Sequence, residues 1–382
     1  MLSISKILSG QKEGGDHLRY VRGRGAVGPV VVWNSTQACN LKCAHCYANA
    51  TAEPGTGEMT TAEARKFIDD LADFSVPVLL FSGGEPLLRP DFFELAQYAR
   101  EKGVRPVVST NGTLITREKA WALKETGVGY VGVSLDGLKE TNDRLRGYKG
   151  AFEAALEGIR NCVAVGQRVG LRFTLTKYNF RELGAIFDLI EAEGINRACF
   201  YHLVYTGRGS RLVDYDLSAE EKRATIDLIW RRTADLLARG HRKEILTVDN
   251  HADAVYIYLK VKESDPARAE AVLSLLLATG GNRSGIAIGA VDWQGNVHPD
   301  QFTPWHTLGN VRERSFGDIW TDISNPLMAG LKNRCGLLKG RCASCRWLDV
   351  CNGNFRARAE AATGDPWASD PACYLTDQEI GI

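Results

Sequence analysis

Pro29-Val-Val-Val-Trp-Asn-Ser-Thr-Gln-Ala-Cys39-Asn-Leu-Lys-Cys43-Ala-His-Cys46-Tyr47 runs a β-branched segment directly into three closely spaced thiols. The apolar run Pro29 to Trp33 predicts a buried strand, and the cysteines stand in the loop at its carboxyl end. Five more such runs follow: Pro77 to Phe81, Val104 to Val108, Tyr130 to Leu135, Val169 to Leu175 and Ala198 to Val204. Between them lie segments with apolar residues at helical spacing, such as Thr60 to Phe74 and Arg181 to Glu193. Strand and helix in strict alternation predict consecutive βα units, hence a parallel sheet. Polar and glycine-rich motifs follow the strands: Ser82-Gly-Gly-Glu-Pro the second, Ser109-Thr-Asn-Gly the third, Asp136-Gly the fourth and Thr206-Gly-Arg-Gly the sixth. Ligands bind at the carboxyl ends of parallel strands, so these loops are expected to converge on one face.

At 382 residues the chain has room for one large α/β domain with a smaller appendage. Its 44% hydrophobic and 24% charged residues exclude disordered and fibrous classes. A net charge of +1 gives nothing that draws nucleic acid or an acidic membrane, and no apolar run approaches the ~18 residues of a membrane span. The first ten residues lack the features of a secretory leader, so a cytoplasmic location is expected. The abnormal number is ten cysteines. In a reducing compartment a disulfide framework is the lesser explanation, and the positions favour metal or iron-sulfur centres. Cys39, Cys43 and Cys46 form one cluster and Cys342, Cys345, Cys351 and Cys373 another; Cys162, Cys199 and Cys335 are scattered.

Three thiolates can hold three irons of a cubane and leave the fourth open, whereas structural zinc takes four closed ligands. Zinc with His45 as the fourth ligand stays open on the triplet alone. The segment Gly83-Gly84-Glu85-Pro86 adds glycines that let backbone approach a ligand and a carboxylate able to accept from an ammonium group. The three-cysteine loop followed by this segment, in this order and on these elements, resembles the radical S-adenosylmethionine (SAM) superfamily. The resemblance implies a partial (β/α)6 barrel and a 4Fe-4S cluster whose open iron is chelated by SAM, with a 5′-deoxyadenosyl radical formed by one-electron cleavage. It also implies roles: Gly83, Gly84 and Glu85 on the methionine amino group, Ser109, Asn111 and Ser134 toward the ribose, His45 on the adenine side, and Arg172 on a carboxylate or the substrate. A low-potential donor such as flavodoxin or ferredoxin is the implied electron source.

From about Leu217 to Gly280 long helical segments replace the strand pattern, as in Ala219 to Leu237 and Ala267 to Ala278. A β-rich stretch, Gly285 to His298, then leads to the second cysteine set. The expected division is an N-terminal extension (1–27), a radical SAM barrel (28–215), a helical bridge (216–284) and a small iron-sulfur domain (285–382). Gaps of two, five and twenty-one residues between Cys342, Cys345, Cys351 and Cys373 suit zinc as well as iron-sulfur when taken alone. Beside a radical SAM barrel they resemble the SPASM/twitch extension, which implies one closed auxiliary 4Fe-4S cluster and hence two clusters in all. Asp300 and Phe355 stand where cysteines for a further cluster would be expected. A closed cluster offers no free iron, so its implied role is to accept an electron from the substrate.

Leu171-Arg-Phe-Thr-Leu-Thr, Tyr205-Thr-Gly-Arg-Gly, Gly295-Asn-Val-His-Pro-Asp, Leu308-Gly-Asn-Val-Arg-Glu, Trp347-Leu-Asp-Val-Cys-Asn-Gly-Asn and Gly364-Asp-Pro-Trp resemble the NirJ family, radical SAM proteins of heme d1 biosynthesis. Part of this pattern is shared with the related heme-route decarboxylase and deacetylase. The resemblance implies a tetrapyrrole substrate, 12,18-didecarboxysiroheme, from which two propionates are removed and replaced by oxo groups. A polyanionic ring calls for guanidinium partners, and Arg19, Arg22, Arg24, Arg208, Arg211, Arg356 and Arg358 are candidates, Arg208 and Arg356 foremost. His202, His298 and His306 are candidates for approaching the substrate iron, each more simply read as a hydrogen-bonded structural histidine. Competing readings are a peptide-modifying enzyme of the same superfamily and a non-catalytic iron-sulfur carrier; the second leaves the Gly83 to Pro86 segment without a purpose.

Overall fold

The computed structural model describes residues 1–11, 16–19 and 28–382, apart from the side chains of His17 and Arg19. Arg22, Arg24 and the side chain of Arg19 therefore lie outside the described residues, as do residues 12–15 and 20–27 of the expected extension 1–27. Among the described residues no helix is long and apolar enough to cross a membrane.

Eleven strands among the described residues form one sheet: β1 (Leu2–Ser3), β2 (Val30–Thr36), β3 (Val78–Gly83), β4 (Arg105–Thr110), β5 (Val131–Ser134), β6 (Val169–Leu175), β7 (Arg197–His202), β8 (Glu244–Val248), β9 (Ile288–Val291), β10 (Asn296–His298) and β11 (Gly309–Asn310). Their order is β1-β8-β7-β6-β5-β4-β3-β2-β9-β10-β11. The six expected strands are β2 to β7, each parallel to the next. Because β1 and β11 remain as edges, the barrel is partial.

Two further parallel strands flank the expected six. β8 joins β7, and β9 joins β2 with Val31 opposite Gly289 and Trp33 opposite Val291. β8 is five residues long, inside the stretch expected to be helical; a run that short between long helices carries too little periodicity to be told apart. The β-rich stretch after Gly285 is present, but its first strand completes the barrel edge. That pairing joins residues more than 250 apart and has no local signature.

Helices close the outside of the sheet in the manner their patterns dictate. Thr61–Asp73 starts from a capping box made by Thr60 and Glu63 and buries Ala64, Phe67, Ile68 and Leu71, the stripe expected of a 3.6-residue period. Phe67 packs edge-on to Trp33 of β2 with ring centroids 5.6 Å apart, and Trp33 also meets Phe81 of β3 at 5.4 Å. One apolar core extends from Val31 and Phe81 through Ile229 and Val255 to Phe316, Tyr374 and Ile380, so the cysteine-rich tail packs on the barrel and its helices.

Candidate active site at the carboxyl ends of the strands

The cysteine loop leaves β2 and is held by its own backbone: Cys39 N–H donates to the Thr51 carbonyl (2.7 Å) and Thr51 N–H to that of Gln37 (3.0 Å). Arg208, in the loop after β7, clamps it from the other side. Its Nε donates to the Cys43 carbonyl (2.7 Å), its Nη1 to that of Ala50 (2.8 Å), and its backbone N–H to that of Cys46 (2.9 Å). Gly83 and Gly84 approach the same loop so closely that a Cβ on Gly84 would lie 2.0 Å from the Ala38 carbonyl oxygen, and Gly83 holds φ +115°. Their lack of a side chain is thus required by the packing of two loops as well as by any ligand.

Cys39, Cys43 and Cys46 line one cavity of about 150 Å³ together with His45, Gly83, Gly84, Ser109, Asn111, Ser134, Arg172 and Arg208. Burial pushes the Cys39 thiol up to about 12, and raises that of Cys43 although Arg146 beside it opposes the shift. Thiols held protonated in this way ionise when a cation takes the proton's place, which is the condition for ligation. His45 is oriented through one ring nitrogen: its Nε2 lies 2.9 Å from Asp136 Oδ2, an oxygen that also pairs with Arg146, while its Nδ1 has no partner. Burial alone would raise the Asp136 carboxyl, but Arg146 and His45 outweigh it and hold it at about 2.

Glu85 does not line the cavity. Its fully buried carboxylate accepts from Thr110 Oγ1 (2.7 Å), Asn111 N–H (2.8 Å) and Leu87 N–H (3.1 Å), which fixes the β4 loop under the cavity floor. The structure therefore gives its side chain a positioning role, not the expected direct contact. Asn111 faces the cavity and ties β4 to the cysteine loop through Asn40 Oδ1 (2.8 Å).

A second cavity, of about 330 Å³, fills the barrel interior and shares Val32, Leu80, Arg172, Tyr201, Asp249 and Phe302 with the first. Its walls are apolar strand residues such as Val30, Val78 and Val107, and Arg105, Arg168 and Arg197 stand at its amino-terminal end. Burial lowers the basicity of Arg105, and repulsion from Arg168 and Arg197 lowers it further. Glycines make room for these side chains: a Cβ on Gly132 would fall 2.8 Å from Arg172 Cδ, and one on Gly129 2.3 Å from Arg105 Nε. Arg172 lies over the Tyr201 ring, 4.6 Å from its centroid. Sequence reasoning missed Arg105, Arg168, Arg197 and Asp249; the three arginines stand at or just before the first residues of β4, β6 and β7, and Asp249 follows β8. Phe355 and Asp300 both line this cavity, with Phe302 and Phe355 edge to face at 5.4 Å.

Several expected substrate contacts are spent on the protein itself. Arg356 is buried in the tail, where Nη1 donates to the carbonyls of Pro366 (3.0 Å) and Ala368 (2.7 Å) and Nη2 to that of Gly353. It lines neither cavity, so it is withdrawn as a substrate contact. Arg358 forms a buried bidentate pair with Asp370, both distances 2.8 Å. His202 pairs with Asp253 (3.0 Å), His298 with the His306 carbonyl (2.9 Å), and His306 with Glu360 (2.8 Å), as structural histidines do.

Cys342, Cys345, Cys351 and Cys373 line a separate cavity of about 250 Å³, and none is in a disulfide. Cys335 is exposed and outside it, while Cys162 and Cys199 are buried. Among the described residues no three acidic, histidine or cysteine side chains close on a single metal ion; the thiols stand around voids, an arrangement that suits a multinuclear group.

Comparison with known proteins agrees with this geometry. Residues 33–190 match the Radical SAM superfamily. The chain is 57% identical to the Fe-coproporphyrin III synthase of Methanosarcina barkeri, with 100% of this chain and 99% of that protein covered. It is 45% identical to the pre-heme d1 synthase of Dinoroseobacter shibae, covering 94% and 89%. The solved structure of native anSMEcpe with bound AdoMet has the same fold, with a TM-score of 0.70 at 18% identity over 92% of this chain and 94% of that one, a span that takes in the tail. SAM and a 4Fe-4S cluster are the cofactors this family implies, and the cysteine-lined cavity fits them. The chain belongs to the radical SAM superfamily, in the group that holds the Fe-coproporphyrin III and pre-heme d1 synthases.

Proposed function

We propose that the chain removes acidic side chains from a siroheme-derived iron tetrapyrrole bound in the barrel cavity. The observation that carries this reading is the continuity of the two cavities: an apolar chamber with arginines at its end opens onto the cysteine loop through Arg172, Tyr201 and Asp249. An apolar disc with carboxylates at its rim calls for such a chamber. Cys39, Cys43 and Cys46 hold the first cluster; Gly83, Gly84, Ser109, Asn111, Ser134, Arg172 and the free Nδ1 face of His45 border SAM, which Glu85 serves by fixing the loop. Bound there, the pair supplies one-electron chemistry that abstracts hydrogen. Arg208 holds the cysteine loop while facing the cavity. Cys342, Cys345, Cys351 and Cys373 would hold a closed auxiliary cluster, which would supply an acceptor for an electron from the substrate, with a low-potential flavodoxin or ferredoxin as the donor to the first.

Two outcomes are open on the ring. The 57% identity to the Fe-coproporphyrin III synthase favours side-chain removal with Fe-coproporphyrin III as product. The 45% identity to the pre-heme d1 synthase supports the reaction on 12,18-didecarboxysiroheme in which two propionates give way to oxo groups. Incubating the reduced, iron-loaded protein with SAM and 12,18-didecarboxysiroheme, followed by mass spectrometry, separates them by product mass. An unchanged tetrapyrrole alongside deoxyadenosine would refute both and return a peptide substrate to consideration.

A further inference from the structure

The barrel cavity contains a histidine that none of the roles above uses. His251 lines it just beyond β8, and its Nδ1 is buried with no hydrogen-bond partner. A buried polar atom left unpaired costs free energy, and native structures rarely retain one without a use. The histidines first considered for the substrate iron are all hydrogen-bonded, His202, His298 and His306 alike. His45 also has an unpartnered Nδ1, but it stands in the cavity of the cysteine loop.

The backbone around His251 is fixed from two sides. Asp249 holds φ +65°, a left-handed conformation that a non-glycine residue adopts at a cost and that turns the chain sharply after β8. Asn354, three residues beyond Cys351, accepts the His251 N–H on Oδ1 (2.7 Å) and donates from Nδ2 to Asn250 Oδ1 (2.8 Å). Asn250 in turn donates to the Ala372 carbonyl (2.9 Å), beside Cys373. The imidazole is therefore carried on a segment braced by the cysteine-rich tail, a degree of preorganisation that a merely space-filling side chain does not need.

We propose that His251 is an axial ligand to the iron of the tetrapyrrole substrate, bound through Nδ1. This rests on the tetrapyrrole reading and adds to it the point by which the ring is held. Burial, reinforced by the charges of the amino terminus, Arg334 and Arg358 and only partly offset by the Asn354 side chain, lowers the basicity of the imidazole and favours the neutral form, which ligates iron. Gln301 Oε1, buried and also without a partner, and the Asp249 carboxyl border the same space where it meets the cysteine-loop cavity. Ligation by His251 centres the iron in the apolar chamber and leaves the acidic rim to Arg172 and the arginines at the far end.

The test uses the anaerobic, iron-loaded protein and two probes, ferric Fe-coproporphyrin III and metal-free coproporphyrin III, followed by Soret absorption and electron paramagnetic resonance. The wild type is expected to give the iron probe a nitrogen-ligated spectrum. His251→Ala loses that spectrum and binds the iron probe at least about tenfold more weakly, while both proteins bind the metal-free probe equally. Added imidazole restores the spectrum in the variant. Identical iron spectra in the two proteins overturn the proposal, as does an equal loss of affinity for the metal-free probe, which marks a structural role. If the wild type binds the metal-free probe but leaves the iron spectrum unshifted, ligation fails and the tetrapyrrole reading stands. If it binds neither, both fall.

Discussion

Replacing Asp136 by Asn tests the electrostatic support beneath the cysteine loop. Asp136 is fully buried; Oδ1 accepts the Thr174 N–H at 2.6 Å, and Oδ2 serves both His45 and Arg146. Its carboxyl is held at about 2 against an ordinary 3.8, a difference of nearly two pKa units, or on the order of 2.5 kcal/mol at neutral pH. The amide also leaves the buried Arg146 guanidinium without its counter-charge, and breaking a buried pair in this way costs about 3–5 kcal/mol. A loss of about 3 kcal/mol is therefore expected, roughly a 100-fold rise in hydrogen exchange for amides of the helix Lys139–Arg146 that open only with the surrounding core. The pH dependence fixes the cause. Because the folded-state pKa is depressed, the stabilisation is complete above the ordinary carboxylate range and is lost as pH falls toward about 2. Urea unfolding should then show a constant gap between wild type and variant from pH 7 to about 5, closing only below about 4. A gap that already shrinks between pH 7 and pH 5, or unchanged exchange in that helix, would refute the argument.

Asp249→Asn should act with the opposite sign: burial pushes this carboxyl up to about 6, so wild-type stability falls as pH rises from about 4 through about 6. The variant should lose that slope and melt higher at pH 8, by the equivalent of about 2–3 kcal/mol; equal slopes in thermal melts at pH 5 and 8 count against it. Arg356→Ala should leave affinity for Fe-coproporphyrin III within about twofold yet lower the urea midpoint, since its guanidinium serves tail carbonyls; a tenfold loss of ligand affinity would put it back in the site. Changing Cys39, Cys43 and Cys46 to Ala should abolish deoxyadenosine formation and leave about half the iron, whereas Cys345→Ala should spare SAM cleavage and block product. Zinc in place of iron in anaerobically purified protein would dispose of the auxiliary-cluster assignment.

The barrel and the cysteine-lined cavity were legible because their signals are local. Runs such as Val169 to Leu175 carry strand character in their own side chains, and Cys39, Cys43 and Cys46 sit within eight residues of one another. The chamber inside the barrel was not legible, because Arg105, Arg168, Arg172 and Arg197 come together only after three separate strands, β4, β6 and β7, are assembled. Arginine 356 misled for a related reason. A guanidinium near a cysteine motif reads as a grip for an anion, but carbonyls freed by the turn at Gly353 and the segment 366–368 claimed it first. Glu85 shows the same limit: its carboxylate was expected to meet a ligand, and the donors at Thr110 and Asn111 lie on a strand end whose proximity no local pattern records.

The parallel pairing of β9 with β2 also sets a timetable for synthesis. Val30 to Trp33 leave the ribosome early, and β3 soon covers one side of them, but the partner for the other side ends at Val291, 255 residues after Thr36. At ~5–20 residues per second the nascent chain carries an apolar, unpaired strand edge for roughly 13–50 s. Throughout that interval the edge is a template for another chain, and the thiols that follow it in sequence are held on an unfinished wall. Conditions that slow elongation should therefore send more of this protein to aggregates than its finished stability would suggest, and chaperones that shield strand edges should raise its yield.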